Sequence, residues 1–280
     1  MVIKIGHSIG SREEFFALLR FIIGLCAALI LFPLPVLAGP PFVTDDPEPV
    51  ELHHWEVYVF GIYNKDASGK SGQGTALEVN YGAVENLQLH LLLPYALSQA
   101  PDADLQTGIG DMELGAKYRF VQETKTRPMV GVFPHIEIPF GNENQNLGAG
   151  HVQILFPLWL QKSYQHWTSY GGGGYLFNAG APDSDSWLLG WEVQNDLTEH
   201  LMLGGEIFEL IPVAGFSRAE TNFNLGGQVN FDDEHHLLFS AGKSIHGNTG
   251  FMAYLGFQWT FGPAETKMEP EIPAPQPRRF

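Results

Sequence analysis

Gly110-Asp111-Met112-Glu113-Leu114-Gly115-Ala116-Lys117-Tyr118-Arg119-Phe120-Val121 decides how this chain folds. Asp111, Glu113, Lys117 and Arg119 fall on one parity, while Met112, Leu114, Ala116, Tyr118 and Phe120 fall on the other. A helix would scatter those charges around its circumference; a strand puts all of them on one face. The same period of two recurs along the chain. Asn222, Asn224, Gln228 and Asn230 oppose Phe223, Leu225, Val229 and Phe231, and Phe251, Ala253, Leu255, Phe257, Trp259 and Phe261 oppose Met252, Tyr254, Gln258 and Thr260. Clear alternation also runs over 187–197, 87–93 and 152–161, and weaker alternation over 55–63, 75–81, 128–138, 167–177, 200–210 and 234–245. Twelve strands are expected.

The apolar parity is nearly free of charge, with Lys243 the main exception. A soluble sandwich also alternates, but its turns are short at both ends. Here short connections (83–86, 122–127, 163–166, 198–199, 232–234) interleave with longer ones (64–74, 95–107, 141–150, 179–186, 211–221). Short turns on one rim and long loops on the other are the pattern of outer-membrane barrels. The expected fold is therefore all-β: a transmembrane antiparallel up-and-down β-barrel with periplasmic turns and longer extracellular loops, set in lipid and lipopolysaccharide. Trp55, Tyr81, Tyr118, Phe120, Phe231, Trp259 and Phe261 would sit near the periplasmic rim, and Tyr63, Trp187, Phe223 and Phe251 near the outer one, where aromatic rings suit the headgroup region.

Composition agrees and excludes much else. Of 280 residues only 16% are charged, against about 25% in soluble globular proteins. A formal net charge of -16 argues against nucleic acid, which needs a basic surface. A single cysteine, Cys26, rules out a disulfide framework and a cysteine-built zinc site. Lys4, Arg12 and Arg20 precede an apolar run from Phe21 to Phe32, followed by Val36-Leu37-Ala38. This reads as a signal peptide over 1–38, cleaved after Ala38, for export to the outer membrane of a Gram-negative cell. Pro33 and Pro35 break the run before it could serve as a spanning anchor. An N-terminal segment or small plug is expected over 39–50, the barrel over 51–262, and a proline-rich periplasmic tail over 263–280.

Two segments carry a family resemblance. Gly39-Pro40-Pro41-Phe42-Val43-Thr44-Asp45-Asp46-Pro47-Glu48-Pro49, with His54-Trp55-Glu56 after it, is one; Gly108-Ile109-Gly110 running on through Phe120 is the other. Together they resemble the outer-membrane barrel proteins grouped as phenol-degradation meta-pathway proteins, often labelled transporters. The resemblance implies passage of small, often aromatic or hydrophobic, compounds. It brings no catalytic or binding residues and no cofactor.

Parity supplies candidate lumen residues: Glu56, Glu78, Asp111, Glu113, Glu137, Glu192 and Glu206 against Lys117 and Arg119, with apolar Tyr58, Phe60, Phe133, Trp159, Phe208 and Tyr254. An acidic lining would pass neutral or cationic solutes better than anions. The alternative is a closed barrel filled by these groups, with a structural or adhesive role through its outer loops. Gly171 to Gly174 inside a strand implies a plug against that wall or a kink in it. Asp45-Asp46-Pro47-Glu48 reads most simply as a solvated turn, with calcium binding or the periplasmic mouth as alternatives. Phe257, Trp259 and Phe261 are the candidate signal for the barrel-assembly machinery. No His-Glu-x-x-His motif is present, and the Gly-x-Ser-x-Gly match at Gly6-His7-Ser8-Ile9-Gly10 falls within the expected signal peptide, so no catalytic residue is assigned. Ser240 beside a neighbouring-strand histidine is the one enzymatic arrangement worth testing.

Overall fold

The computed structural model describes residues 40–66, 69–180, 185–214, 219–247 and 250–263. The expected signal peptide and all of the tail beyond Pro263 lie outside these residues. The strands are β1 (Trp55–Asp66), β2 (Gly69–Val84), β3 (Leu87–Gln99), β4 (Gln106–Ile109 continued by Met112–Val121) and β5 (Met129–Val132 continued by His135–Ile138). They continue as β6 (Gln153–Tyr164), β7 (Trp167–Asn178), β8 (Ser186–Thr198), β9 (Leu201–Pro212), β10 (Glu220–Asn230), β11 (His235–His246) and β12 (Phe251–Phe261). Each pairs antiparallel with its sequence neighbours, and β12 returns to β1 in a ladder from Trp55↔Phe261 to Lys65↔Phe251. Twelve strands close one barrel. Closure gives every strand a partner on both sides, which is what a sheet needs where no water can satisfy its edges.

The alternation sorts side chains as the sequence implies. Val59, Leu89, Phe156, Trp191, Leu225 and Leu255 stand exposed on the outside, while Glu78, Lys117, Glu192 and Glu206 are buried inside. Aromatic rings gather at both rims. Trp55 stacks on Tyr81 at 4.3 Å and Trp259 meets Phe261 at 4.5 Å on the short-turn rim. Tyr63 meets Phe251 at 6.4 Å and Tyr175 meets Trp187 at 5.1 Å on the long-loop rim. Lys243 lies between Phe223 and Phe251 in register, near the long-loop end, where a lysine can lift its ammonium out of the apolar band.

One expected loop is not a loop. The stretch 64–74 continues the β1–β2 ladder through Asn64↔Ser71, Lys65↔Lys70 and Asp66↔Gly69. Likewise β3 runs to Gln99, well past Tyr95. The 16 residues of β2 exceed the ~9–11 that cross a bilayer. The excess rises beyond the apolar band, where neither face must be greasy. Backbone pairing there persists without any hydrophobic signal in the sequence.

Candidate functional site

The chain before β1 runs along the inside of the wall. Its backbone amides need acceptors there, and the inward parity supplies them. Val43 N–H and Thr44 N–H donate to the two carboxylate oxygens of Glu206 on β9 at 2.8 and 2.7 Å. Val50 N–H donates to Gln88 Oε1 on β3 at 2.9 Å, and Ser240 Oγ on β11 donates to the Pro41 carbonyl at 2.5 Å. Phe42 is fully buried. The acidic residues meet Lys117 and Arg119 on the inner wall. Lys117 Nζ lies 2.9 Å from Asp45 and 3.6 Å from Asp46, and Arg119 lies 3.6 Å from Glu48. The expected solvated turn at 45–48 is therefore not what forms: Asp45 is buried against Lys117. A buried carboxylate keeps its charge when an opposite charge and hydrogen bonds replace water. The two segments that carry the family resemblance are thus in contact with one another.

The remaining candidate residues distribute over the inner wall. Glu56 accepts from Tyr58 OH at 2.9 Å, and Glu78 accepts from Asn80 Nδ2 at 2.7 Å. Glu113 lies 3.0 Å from His90 Nε2 and 3.9 Å from His135 Nδ1. Asp111 accepts Gly141 N–H at 2.8 Å and Ala149 N–H at 2.6 Å, pinning the loop 139–152 to the gap in β4. Leu147 of that loop is buried above Gly108 and Gly110. Beside it lies a small cleft of about 90 Å³ lined by Leu92, Pro94, Asp111, Glu113, Glu137 and Leu147.

The apolar candidates fall into two clusters. Tyr58, Phe60 and Tyr254 pack with Ile62, Ala76, Leu92 and Leu238, and Phe60 stacks on Tyr254 at 5.1 Å. Phe133, Trp159 and Phe208 pack with Val43, Leu155, Leu176 and Leu188. His90, His135 and Asn80 are buried polar residues that the candidate set omits. His90 shares the inward parity with Gln88 and Leu92, so the alternation of β3 already carried it. His135 shares the inward parity of Phe133 and Glu137, so the alternation carries it across the Phe133-Pro134 break in β5 as well.

The glycine run on β7 is a feature of the wall. Side chains at Gly171, Gly173 and Gly174 would strike the backbone of β6 or β8, and Gly172 sits at φ +152 with the Leu158 carbonyl in its way. Contact with the inner segment falls instead on Gly190 of β8, opposite Gly172, where a Cβ would meet the Thr44 hydroxyl. Ser240 is paired in register with Gly226 and Tyr254, and its hydroxyl is given to Pro41. The imagined serine–histidine pair is not formed across these ladders.

The closed antiparallel barrel has counterparts among solved structures. The fold is shared with outer-membrane channels. An outer membrane channel from Pseudomonas putida F1 is 17% identical, with a TM-score of 0.66 over 80% of this chain and 100% of that one. The porin KdgM, solved in complex with disordered oligogalacturonate, gives 0.54 at 9% identity over 74% of this chain and 99% of that one. The porin NanC gives 0.50 at 9% identity over 72% and 98%. At these identities the likeness is one of fold. No protein-family model matches the sequence, and no curated protein matches it either.

Proposed function

We propose that this chain is an outer-membrane channel for passive passage of small molecules, with hydrophobic or aromatic compounds favoured and no catalytic step. The observation that carries the reading is the pair of apolar clusters on the inner wall, around Tyr58, Phe60 and Tyr254 and around Phe133, Trp159 and Phe208. A water-filled pore for hydrophilic solutes has no use for buried rings, whereas a path for apolar solutes is lined by them. Charge adds a second criterion. Lys117 and Arg119 are neutralised by Asp45, Asp46 and Glu48, which leaves the inward acids Glu56, Glu78, Glu113, Glu137, Glu192 and Glu206 in excess. Neutral and cationic solutes pass such a lining better than anions.

The segment 39–50 acts as a small plug in this reading, and the chain reaches the outer membrane by export through a signal cleaved after Ala38. The periplasmic end of β12, with Phe257, Trp259 and Phe261, docks the barrel-assembly machinery, and lipopolysaccharide surrounds the long-loop rim. The experiment is a planar-bilayer recording paired with uptake of a hydrophobic probe by cells with and without the protein. Facilitated uptake together with cation-preferring conductance is expected; anion preference would overturn the acidic-lining argument, and equal uptake rates the channel itself. A closed barrel is the second reading, favoured by an interior in which Trp159 is 2% exposed and Glu192 0%. Absence of conductance even after removal of residues 40–50 would establish it.

A further inference from the structure

Inside the barrel one row of side chains crosses five strands. Register pairs Gln161 with Tyr170, Tyr170 with Glu192, Glu192 with Glu206, and Glu206 with Asn224. The next row toward the long loops reads Trp159, Gly172, Gly190 and Phe208. The Trp159 ring lies against Gly172, and Gly190 leaves a slot beside Phe208 that the Thr44 side chain occupies.

The carboxylates beside this slot are unequally served. Glu206 accepts Val43 N–H, Thr44 N–H and Asn224 Nδ2. Glu192, directly opposite, is wholly buried, and neither of its oxygens has a hydrogen-bond partner among the described residues. Like charges opposed across two strands repel, and a buried carboxylate without a donor is costly. Among the described residues, the lysine and arginine of the inner wall are committed elsewhere, Lys117 to Asp45 and Asp46 and Arg119 to Glu48. Trp159 Nε1 is also buried without an acceptor.

We infer that Glu192 and Glu206, with Trp159 and Phe208, form a binding site for a protonated primary amine carried on a small apolar or aromatic body. An ammonium brings three N–H donors and a positive charge. Two donors satisfy the orphaned Glu192 and the facing Glu206, and the body takes the place of the Thr44 side chain over Gly190, beside Phe208 and the Trp159 ring. An ammonium near an aromatic face gains further attraction. Val43 and Thr44 now hold the same place, their amide N–H groups on Glu206 and the Thr44 side chain in the slot. Ligand and segment therefore compete. The site rests on the channel reading only for how the amine arrives.

The test is calorimetric titration of the full chain in detergent with phenethylammonium, phenethyl alcohol and phenylacetate, three molecules alike in body and different in charge. The ammonium should bind at least about tenfold more tightly than the alcohol, as a charge-assisted pair implies, and the acid most weakly. Glu192→Gln should remove most of that advantage while leaving the alcohol's binding unchanged. Equal binding of all three overturns the site, and this needs no variant. Full amine affinity in Glu192→Gln also overturns it, as would hold if Glu192 simply carried a proton. Amine-selective binding without bilayer conductance supports this site and refutes the channel; conductance without amine preference does the reverse.

Discussion

At the scale of single residues, Lys117 is the point on which the inner segment hangs. It is buried, it faces both Asp45 and Asp46, and its ammonium lies 5.2 Å from the centre of the Phe133 ring. Lys117→Met keeps the length of the side chain and removes the charge. Two carboxylates are then left in the interior without a counter-ion, a loss of about 3–5 kcal/mol when one partner of a buried pair goes. The barrel has no other reason to unfold, since Lys117 makes no ladder contact through its side chain. The expected outcome is a closed barrel with the segment released. Single-channel conductance should rise, and the Pro40–Val50 stretch should become open to protease while heat-modifiable migration on gels is retained.

At the scale of elements, β7 and β8 divide two tasks that the glycines of the sequence leave confounded. Gly172 sits at φ +152 with a neighbouring carbonyl where a side chain would go, so Gly172→Ala strains the wall by about 1–3 kcal/mol and should lower the yield of folded barrel. Gly190 meets the inner segment, so Gly190→Val should leave the yield nearly unchanged and raise conductance by evicting Thr44. Barrel yield on gels and bilayer current, measured on both variants, would separate the two roles. Twelve strands were legible because period two survives wherever one face meets lipid and the other does not. Legibility ended where that contrast ended: the upper reach of β1 and β2 pairs Ser71 with Asn64 and Lys70 with Lys65, residues that say nothing about a face. The site was half visible. Parity put Lys117 and Glu206 inside, but their partners Asp45 and Val43 are 72 and 163 residues away, and no periodicity reports a contact of that span.

At the scale of the whole molecule, the low charge content has a definite place. Charge is withheld from one surface, the outer wall, and concentrated on the other and on the rims. Leu225 stands near the middle of β10 and is 65% exposed on that wall. Leu225→Arg should cost about 2–4 kcal/mol, the penalty of a base at the bilayer midplane. Unfolding by urea in lipid vesicles would measure it. The same substitution at Phe251, beside Lys243 at the rim, should cost about 1 kcal/mol or less.

The bond from Ser240 to Pro41 joins residues 199 positions apart. The first part of the barrel chain to be made is thereby fastened to strands that are made last. Until β9 and β11 stand in the wall, Val43 and Pro41 have nothing to hold. The fastening of this end therefore cannot precede the placing of β9 and β11. A time course of refolding into vesicles should show protease protection of residues 40–50 trailing the heat-modifiable band. The segment thus serves as a clock hand: its arrival marks a wall built at least as far as β11.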